Sequence, residues 1–232
     1  DATFALQGLG SMPLILTPGA APRDGWLACV RAGDAIAAFA MTEPEAGSDV
    51  AAIATRARPG EGGHRLDGEK TLISNAGIAD FHCVFAATDP SAGHRGLSCF
   101  VVDAEAPGLR FVGPLRMSAP HPLGELRFEG GEVPASARLG AEGAGFSLGM
   151  AALDGLRPTV GAAACGMAAR ALDEALGHAA SGARHLPEPL PRPHRRPPRG
   201  ARPRGERFGG HGARTPPRRR RRRARAHPQP AR

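Results

Sequence analysis

The sequence predicts an α+β fold in which a central antiparallel β-barrel or sandwich domain is flanked by helices. Between residues 36 and 140, short apolar segments alternate with turn residues at a spacing of about ten residues, as in antiparallel sheets. Beyond residue 143 the apolar residues recur every three or four positions, the period of an amphipathic helix. We therefore divide the chain into the end of an N-terminal helical domain (1–35), a middle β-domain (36–140), the first helix of a C-terminal helical domain (141–181) and a disordered basic tail (182–232).

The residues before the β-domain predict a helix that is followed by a strand. Residues 24–33 carry a basic side chain, Arg31, near their end and Gly33 where a helix C-cap belongs. Residues 36–41 form a short apolar run that ends at a turn, which is typical of a buried strand.

Six further strands are predicted from the apolar segments that follow. Clusters of Pro, Gly and Asp separate these segments and indicate turns. The predicted turns lie at 59–63, 67–68, 89–90, 106–108 and 130–131. The predicted strands are 52–57, 70–74, 81–87, 97–103, 109–112 and 123–128.

The apolar stripe beyond residue 143 predicts a long amphipathic helix with a proline inside it. The stripe begins at Phe146, includes Leu153 and continues in helical register to Leu176. Pro158 removes a backbone donor, so we expect a kink there or a new first turn that is capped by Asp154.

Charge is distributed very unevenly along the chain. The formal net charge is +8, yet residues 1–181 carry −7 and residues 182–232 carry +15. The acidic balance of the first part argues against a nucleic-acid-binding surface on it. The second part consists mainly of Arg, Pro, Gly, Ala and His, which bury too little apolar surface to offset chain entropy, so we expect disorder.

Two interpretations of residues 182–232 are open. Arg, Pro, Gly and Ala have GC-rich codons, and the helix before Ser181 has no stop signal, so the segment is interpreted as a frameshift product or a mis-assigned gene end. Alternatively, the six arginines at 218–223 mark a tail that binds nucleic acid in a protein that is not an enzyme. Phe208 is the only ring there besides the histidines, which gives base stacking little support. The nucleotide sequence at the Ser181 codon distinguishes the two.

Cysteine usage and hydropathy restrict the class of protein. The four cysteines are scattered without a Cys-x-x-Cys pair, so we predict no metal site and expect reduced thiols in a cytoplasmic protein. No apolar run approaches the roughly 20 residues of a membrane span, and no signal peptide is evident. The chain begins at Asp1 rather than Met, which suggests a fragment.

The most specific motif is the loop that follows the first predicted strand, residues 39–50 with the sequence FAMTEPEAGSDV. Pro44 and Gly47 turn the backbone so that amide and hydroxyl groups point one way, and such a loop can hold an oxygen- and nitrogen-rich ring edge. Thr-Glu-Pro followed by Ala-Gly-Ser-Asp resembles the signature at the start of the β-domain in the acyl-CoA dehydrogenases, which are flavin-dependent enzymes.

A second segment, residues 66–77 with the sequence LDGEKTLISNAG, resembles the family's hairpin and following strand, which pack along the flavin. Ser74 keeps the hydroxyl that in the family can hydrogen-bond the flavin N5 edge, whereas Leu72 replaces the usual aromatic residue. The resemblance implies that FAD is bound by Phe39, Met41, Thr42, Gly47, Ser48, Leu72, Ile73 and Ser74.

Later segments follow the family's order as far as the entry into the C-terminal helices at residues 139–146. Residues 116–121 depart from the common pattern, which contains Arg and Ser, and His121 is interpreted as a turn residue rather than a catalyst. By resemblance, Ser48, Asp154 and Arg157 lie on the substrate side.

The resemblance implies FAD-dependent α,β-dehydrogenation of an acyl-CoA thioester, with electrons leaving through an electron-transferring flavoprotein and with a homotetrameric assembly. The reaction needs a carboxylate base. The family places this glutamate late in the C-terminal domain or directly before the arginine that matches Arg157, where this chain has Leu156. We therefore expect the chain as given to lack a catalytic base and to be inactive. Because the C-terminal helices and a second subunit complete the flavin site in the family, we also expect it to bind FAD weakly or not at all.

Overall fold

In the part of the chain that the structure describes, eight strands of one mixed sheet follow two N-terminal helices and precede a long C-terminal helix. The computed structural model describes residues 2–20, 22–118 and 121–181. The helices are α1 (Ala2–Ile15), α2 (Arg23–Ala32) and α3 (Gly145–Ala180). The strands are β1 (Ala37–Ala40), β2 (Arg56–Gly60), β3 (Gly63–Ser74), β4 (Phe81–Ala87), β5 (Leu97–Asp103), β6 (Leu109–Pro114), β7 (Leu123–Pro134) and β8 (Arg138–Leu139).

The strand order in the sheet is β6-β7-β3-β2-β4-β5-β8, with β1 paired to β4. Most neighbours are antiparallel, as the ten-residue spacing predicts. Two pairs are parallel: β1 lies along β4, and β2 joins β4 through the single pair of Arg56 with Ala87. The predicted antiparallel sheet is therefore a mixed one, and β4 is the strand on which both parallel pairs meet.

Strands β1, β4 and β5 are buried on both faces. Val84 and Ala86 belong to one apolar cluster, which lies among the strands, whereas Cys83 and Phe85 belong to a second. The helices contribute to the second cluster, in which Leu14 of α1 is fully buried. Strands covered on both sides have nearly continuous apolar sequences. This explains why the boundaries of β4 and β5 coincide with the predicted runs 81–87 and 97–103.

The predicted turn at Asp67-Gly68 is wrong, because both residues lie inside β3. The chain reverses instead between β2 and β3 at Gly62, which has a φ of 77°. Asp67 Oδ1 accepts a hydrogen bond of 2.8 Å from the Gly130 amide of β7. A Cβ on Gly68 would lie 2.6 Å from Thr55 Oγ1. The two turn-forming residues therefore serve a β-bulge and a close approach rather than a hairpin.

Two other boundaries differ from the prediction. The segment predicted as strand 52–57 begins with a 3₁₀ turn, Val50–Ala52, and β2 starts only at Arg56. Residues 130–131 form no break, since β7 continues through them to Pro134. Both residues are glycine, and without a Cβ they admit neighbouring backbone: Gly131 Cα and N lie 2.8 Å from the Cβ position of Gly108.

Helix α2 ends as predicted, with Gly33 at the C-cap in the left-handed conformation at a φ of 78°. Helix α3 continues through Pro158, so the proline does not start a new helix. Asp154 does not act as a cap but accepts a hydrogen bond from Arg157 one turn later. The described residues up to Ala169 form one compact unit, whose boundary lies inside α3.

Residues 182–232 lie outside the described part of the chain, and with them lie the predicted disorder and the arginine run. The four-part domain division stays a prediction. Within residues 2–20, 22–118 and 121–181, no helix combines the length and apolar character that crossing a membrane requires. In the same ranges, no group of three or more His, Cys, Asp or Glu side chains is arranged to hold a metal ion.

Candidate flavin site

A cavity of about 220 Å³ lies between α1, α3, the end of β1 with the loop that follows it, and the end of β3. Six of the eight residues that were predicted to bind FAD line it. Thr42 and Ser74 contribute hydroxyl groups, and Leu72 contributes an apolar side chain that is 56% exposed. The other three are Phe39, Met41 and Gly47. Residues from two separate motifs, some thirty positions apart, therefore meet at one site.

The remaining predicted residues lie elsewhere. Ile73 is 1% exposed and belongs to the apolar cluster among the strands. Ser48 is exposed on its loop and does not line the cavity. Asp154 and Arg157 form an exposed ion pair on α3, with side chains 63% and 66% exposed. Their predicted roles towards flavin and substrate stay predictions.

Four apolar residues of the lining were not predicted: Leu6, Leu9, Val50 and Leu153. Leu6 and Leu9 are three residues apart on α1 and so share one helix face. The position of α1 is set by Gln7, whose side chain donates to Ala35 O at 2.7 Å and accepts from Ala37 N at 3.0 Å. The i, i+3 leucine pair is the signal that sequence reasoning could have used.

A buried ion pair holds the loop that carries Thr42. The Lys70 side chain is fully buried and the Glu43 side chain is 5% exposed, with Nζ and Oε1 2.8 Å apart. Lys70 Nζ also donates to Met41 O at 3.0 Å and to Phe85 O at 2.6 Å. An ammonium group has three donors, so every donor of Lys70 has a protein acceptor.

The Glu43 carboxylate is equally well satisfied. It accepts hydrogen bonds from the backbone amides of Ala54 at 2.6 Å and Thr55 at 3.0 Å, in addition to the one from Lys70. Its own backbone exchanges two hydrogen bonds with Ala46, which closes the loop. These contacts fix the backbone on both sides of Thr42 and so pre-organise the polar wall of the cavity.

Burial and charge act in opposite directions on this pair. Burial lowers the pKa of Lys70 to about 8 from an ordinary 10.5, although the nearby Glu43 carboxylate acts to raise it. Burial alone would raise the pKa of Glu43. The Lys70 ammonium, together with hydrogen bonds from Thr55 and Ala54, outweighs it and holds that pKa below 4.5. Both groups are therefore charged at neutral pH.

A β-bulge turns Leu72 into the cavity. Lys70 pairs with Leu126 and Ile73 pairs with Gly124, so three residues of β3 advance while β7 advances two. The extra residue leaves both Lys70 and Ile73 buried and places Leu72 in the left-handed region at a φ of 56°. Such a conformation costs an ordinary residue roughly 1–2 kcal/mol. Strain of this kind concentrates at binding sites.

Ser74 contacts a side chain from outside the two motifs. Its Oγ lies 2.9 Å from Nε2 of His121, which sits in the turn before β7. The next residue, Asn75, donates its backbone N–H to Pro122 O at 2.6 Å. Its side chain also donates to Ala37 O at 3.0 Å. The end of β3 is thus tied to both β1 and this turn.

These groups suit the edge of a flavin ring better than a whole dinucleotide. A flavin has polar ring nitrogens and carbonyl oxygens beside apolar faces, and the cavity places two hydroxyls beside Phe39, Met41 and Leu72. Sites that enclose a whole small-molecule ligand measure about 300–1,000 Å³, which is more than the volume found here. The described residues therefore fit one part of FAD, its ring system.

Comparison with known proteins identifies the family of this chain. Residues 38–130 match the family model described as acyl-CoA dehydrogenase, middle domain. Over 178 residues, the chain is 39% identical to the probable acyl-CoA dehydrogenase FadE25 of Mycobacterium tuberculosis. The aligned region covers 75% of this chain and 45% of that protein. The chain spans about half the length of the curated relatives it matches.

Solved structures show the same fold. Butyryl-CoA dehydrogenase from Megasphaera elsdenii superposes with a TM-score of 0.72 at 34% identity, over 77% of this chain and 49% of that one. The structure of PigA with FAD and proline superposes with a TM-score of 0.62 at 34% identity, over 65% and 40% of the two chains. The chain therefore belongs to the acyl-CoA dehydrogenase family, whose middle domain it contains.

Proposed function

We propose that the cavity binds the flavin ring of FAD and that the protein takes part in the α,β-dehydrogenation of an acyl thioester. The observation that carries the proposal is the convergence of both flavin motifs on one cavity, with Thr42 and Ser74 as its hydroxyl groups. The FAD-bound PigA structure, 34% identical, supports the choice of cofactor.

When bound, FAD would supply a two-electron acceptor for the hydride of the thioester's β-carbon. The protein's part is to hold and orient. Thr42 and Ser74 offer hydrogen bonds, and the Lys70–Glu43 pair keeps the Thr42 loop in place before any ligand arrives. Within the described part of the chain no carboxylate lines the cavity, and Leu156 occupies the position directly before Arg157. We therefore assign the removal of the α-proton to none of the residues that line the cavity.

An acyl-CoA is the proposed substrate. This proposal is supported by the similarity to the probable acyl-CoA dehydrogenase FadE25 and to butyryl-CoA dehydrogenase. A proline-containing substrate is the second candidate, because one comparison structure is that of PigA with FAD and proline. The Megasphaera enzyme, by contrast, is a butyryl-CoA dehydrogenase. We further propose an electron-transferring flavoprotein as electron acceptor, a homo-oligomer and a cytoplasmic location. No comparison supports the alternative of a nucleic-acid-binding protein.

Flavin binding tests the proposal directly. FAD is titrated into the protein while flavin fluorescence is recorded, with the Thr42→Ala/Ser74→Ala double variant alongside. Each lost hydrogen bond is worth about 0.5–1.5 kcal/mol, so the double variant should bind FAD roughly 5- to 150-fold more weakly. Ser136→Ala is the matched control, because Ser136 is exposed and does not line the cavity. Equal affinities for all three proteins would refute this assignment.

A further inference from the structure

His121 is a polar group beside the cavity that neither flavin motif includes. It lies where the sequence departs from the family pattern, and its side chain is half-buried. Its Nε2 lies 2.9 Å from Oγ of Ser74, which lines the cavity. The imidazole therefore stands directly behind a hydroxyl that is assigned to the ligand.

The backbone around His121 is anchored. Its carbonyl oxygen accepts a hydrogen bond of 2.8 Å from Leu123 N, and Leu123 in turn pairs with Ser74 across β3 and β7. Pro122 O accepts the short 2.6 Å hydrogen bond from Asn75 N. The turn that presents the imidazole and the strand end that presents the hydroxyl are thus parts of one hydrogen-bonded unit.

The chemistry of the two side chains is complementary. A serine hydroxyl carries one proton and two lone pairs, and its proton rotates to suit its neighbours. A neutral imidazole nitrogen is a donor in one tautomer and an acceptor in the other. When His121 donates to Ser74, the hydroxyl proton is free for an acceptor in the cavity. When His121 accepts from Ser74, the hydroxyl presents a lone pair to a donor.

We propose that His121 is a positioning residue that sets the direction of the Ser74 hydroxyl towards the polar edge of the flavin. Nitrogen N5 of a flavin accepts a hydrogen bond when oxidised and carries an N–H when reduced, so a hydroxyl that can reverse its direction matches both forms. His121 supplies the partner that each direction requires. This inference rests on the proposed function, since it takes FAD to be the ligand.

The first test needs no ligand. Protein labelled with ¹⁵N-histidine is compared with its Ser74→Ala variant by NMR, and the ring nitrogen resonances of His121 are followed. Removal of the hydroxyl should shift the Nε2 resonance of His121. The resonance of His178, which is exposed on α3, should stay in place. An unmoved His121 resonance would mean that the contact is absent, and the inference would be overturned.

The second test uses FAD with the His121→Ala and His121→Gln variants and with His178→Ala as the control. FAD affinity is measured by fluorescence, and the midpoint potential of the bound flavin by dye equilibration. His121→Ala should change the ratio of affinities for reduced and oxidised flavin by up to about tenfold, which for two electrons equals about 30 mV. His121→Gln should restore the wild-type potential, because its side-chain amide reaches the position of Nε2 and offers an NH₂ donor in one orientation and a carbonyl acceptor in the other.

The outcomes separate the two hypotheses. If wild type binds FAD and His121→Ala has the same potential, the role of His121 is refuted while the proposed function stands. If wild type takes up no FAD, the proposed function fails, and the inference fails with it. A potential that shifts in His121→Ala and returns in His121→Gln supports both.

Discussion

Removal of the buried ammonium by Lys70→Met should destabilise the protein strongly. The substitution keeps an unbranched side chain, shorter by its terminal atom, but leaves the Glu43 carboxylate, 5% exposed, without its cation. It also leaves Met41 O and Phe85 O without the donor they share. Breaking one partner of a buried ion pair typically costs about 3–5 kcal/mol. A protein domain is stable by only about 5–15 kcal/mol, so much of the margin would be lost.

Urea unfolding followed by circular dichroism measures this change in free energy. The matched control is Arg58→Met, because Arg58 and Asp67 form an ion pair of 3.1 Å whose side chains are 68% and 39% exposed. Exposed pairs contribute less than about 1 kcal/mol, so the control should unfold close to wild type. A Lys70→Met variant as stable as Arg58→Met would refute the view that the pair holds the Thr42 loop.

A double-mutant cycle adds a sharper test. Replacing both partners, as in Lys70→Met/Glu43→Met, removes the uncompensated charge, and such apolar replacements are often neutral or stabilising. The double variant should therefore be more stable than Lys70→Met alone. If the double variant is as stable as wild type but binds FAD more weakly than wild type, the pair acts on loop geometry as well as on folding.

Three other predictions follow from the structure. Because the pKa of Glu43 is lowered in the folded state, its stabilising effect should be complete above pH 4.5 and lost as pH falls through the folded pKa. Because the pKa of Lys70 is lowered to about 8, the free energy of unfolding should rise between about pH 8 and 10.5. Urea titrations at a series of pH values, in which Lys70→Met lacks that rise, would confirm the Lys70 prediction. Gly68→Ala should lower the melting temperature and cost about 1–3 kcal/mol, because its Cβ would lie 2.6 Å from Thr55 Oγ1, and a thermal melt like that of wild type would contradict this. Leu156→Glu should not produce acyl-CoA oxidation, because Leu156 does not line the cavity, and anaerobic bleaching of bound FAD by acyl-CoA thioesters at an enzymatic rate would disprove the expectation.

Elements bounded by local signals could be predicted from the sequence. Helix α2 ends at Gly33 because only a residue tolerant of a φ near 78° terminates it without strain. Strands β4 and β5 are apolar on both faces and are bounded by polar turns, so composition alone delimits them. The middle of β3 could not be predicted, because tertiary contacts of Asp67 and Gly68 override their local preference for a turn.

The polar residues that line the cavity were predicted through the family signature. The buried lysine that holds their loop and the leucines of the two helices were not predicted. A lysine in a strand is ordinarily exposed, and only the bulge at Leu72 turns Lys70 inwards with Ile73. Leu6 and Leu153 come from helices about 150 residues apart in the chain, and sequence spacing carries no information on their meeting. Long-range packing of this kind lies beyond local pattern and propensity.

Because of the bulge at Leu72, the side chain at this position shapes the cavity without contributing to the core of the sheet. The Leu72 side chain belongs to neither apolar cluster, whereas its neighbours in β3 are held by the core and by the Glu43 pair. Its backbone strain is set by the left-handed φ of 56° and is nearly the same for most side chains that might replace it. Position 72 can therefore exchange one side chain for another at little cost to folding. A single substitution at this position can therefore reshape the wall of the cavity without a compensating change in the core.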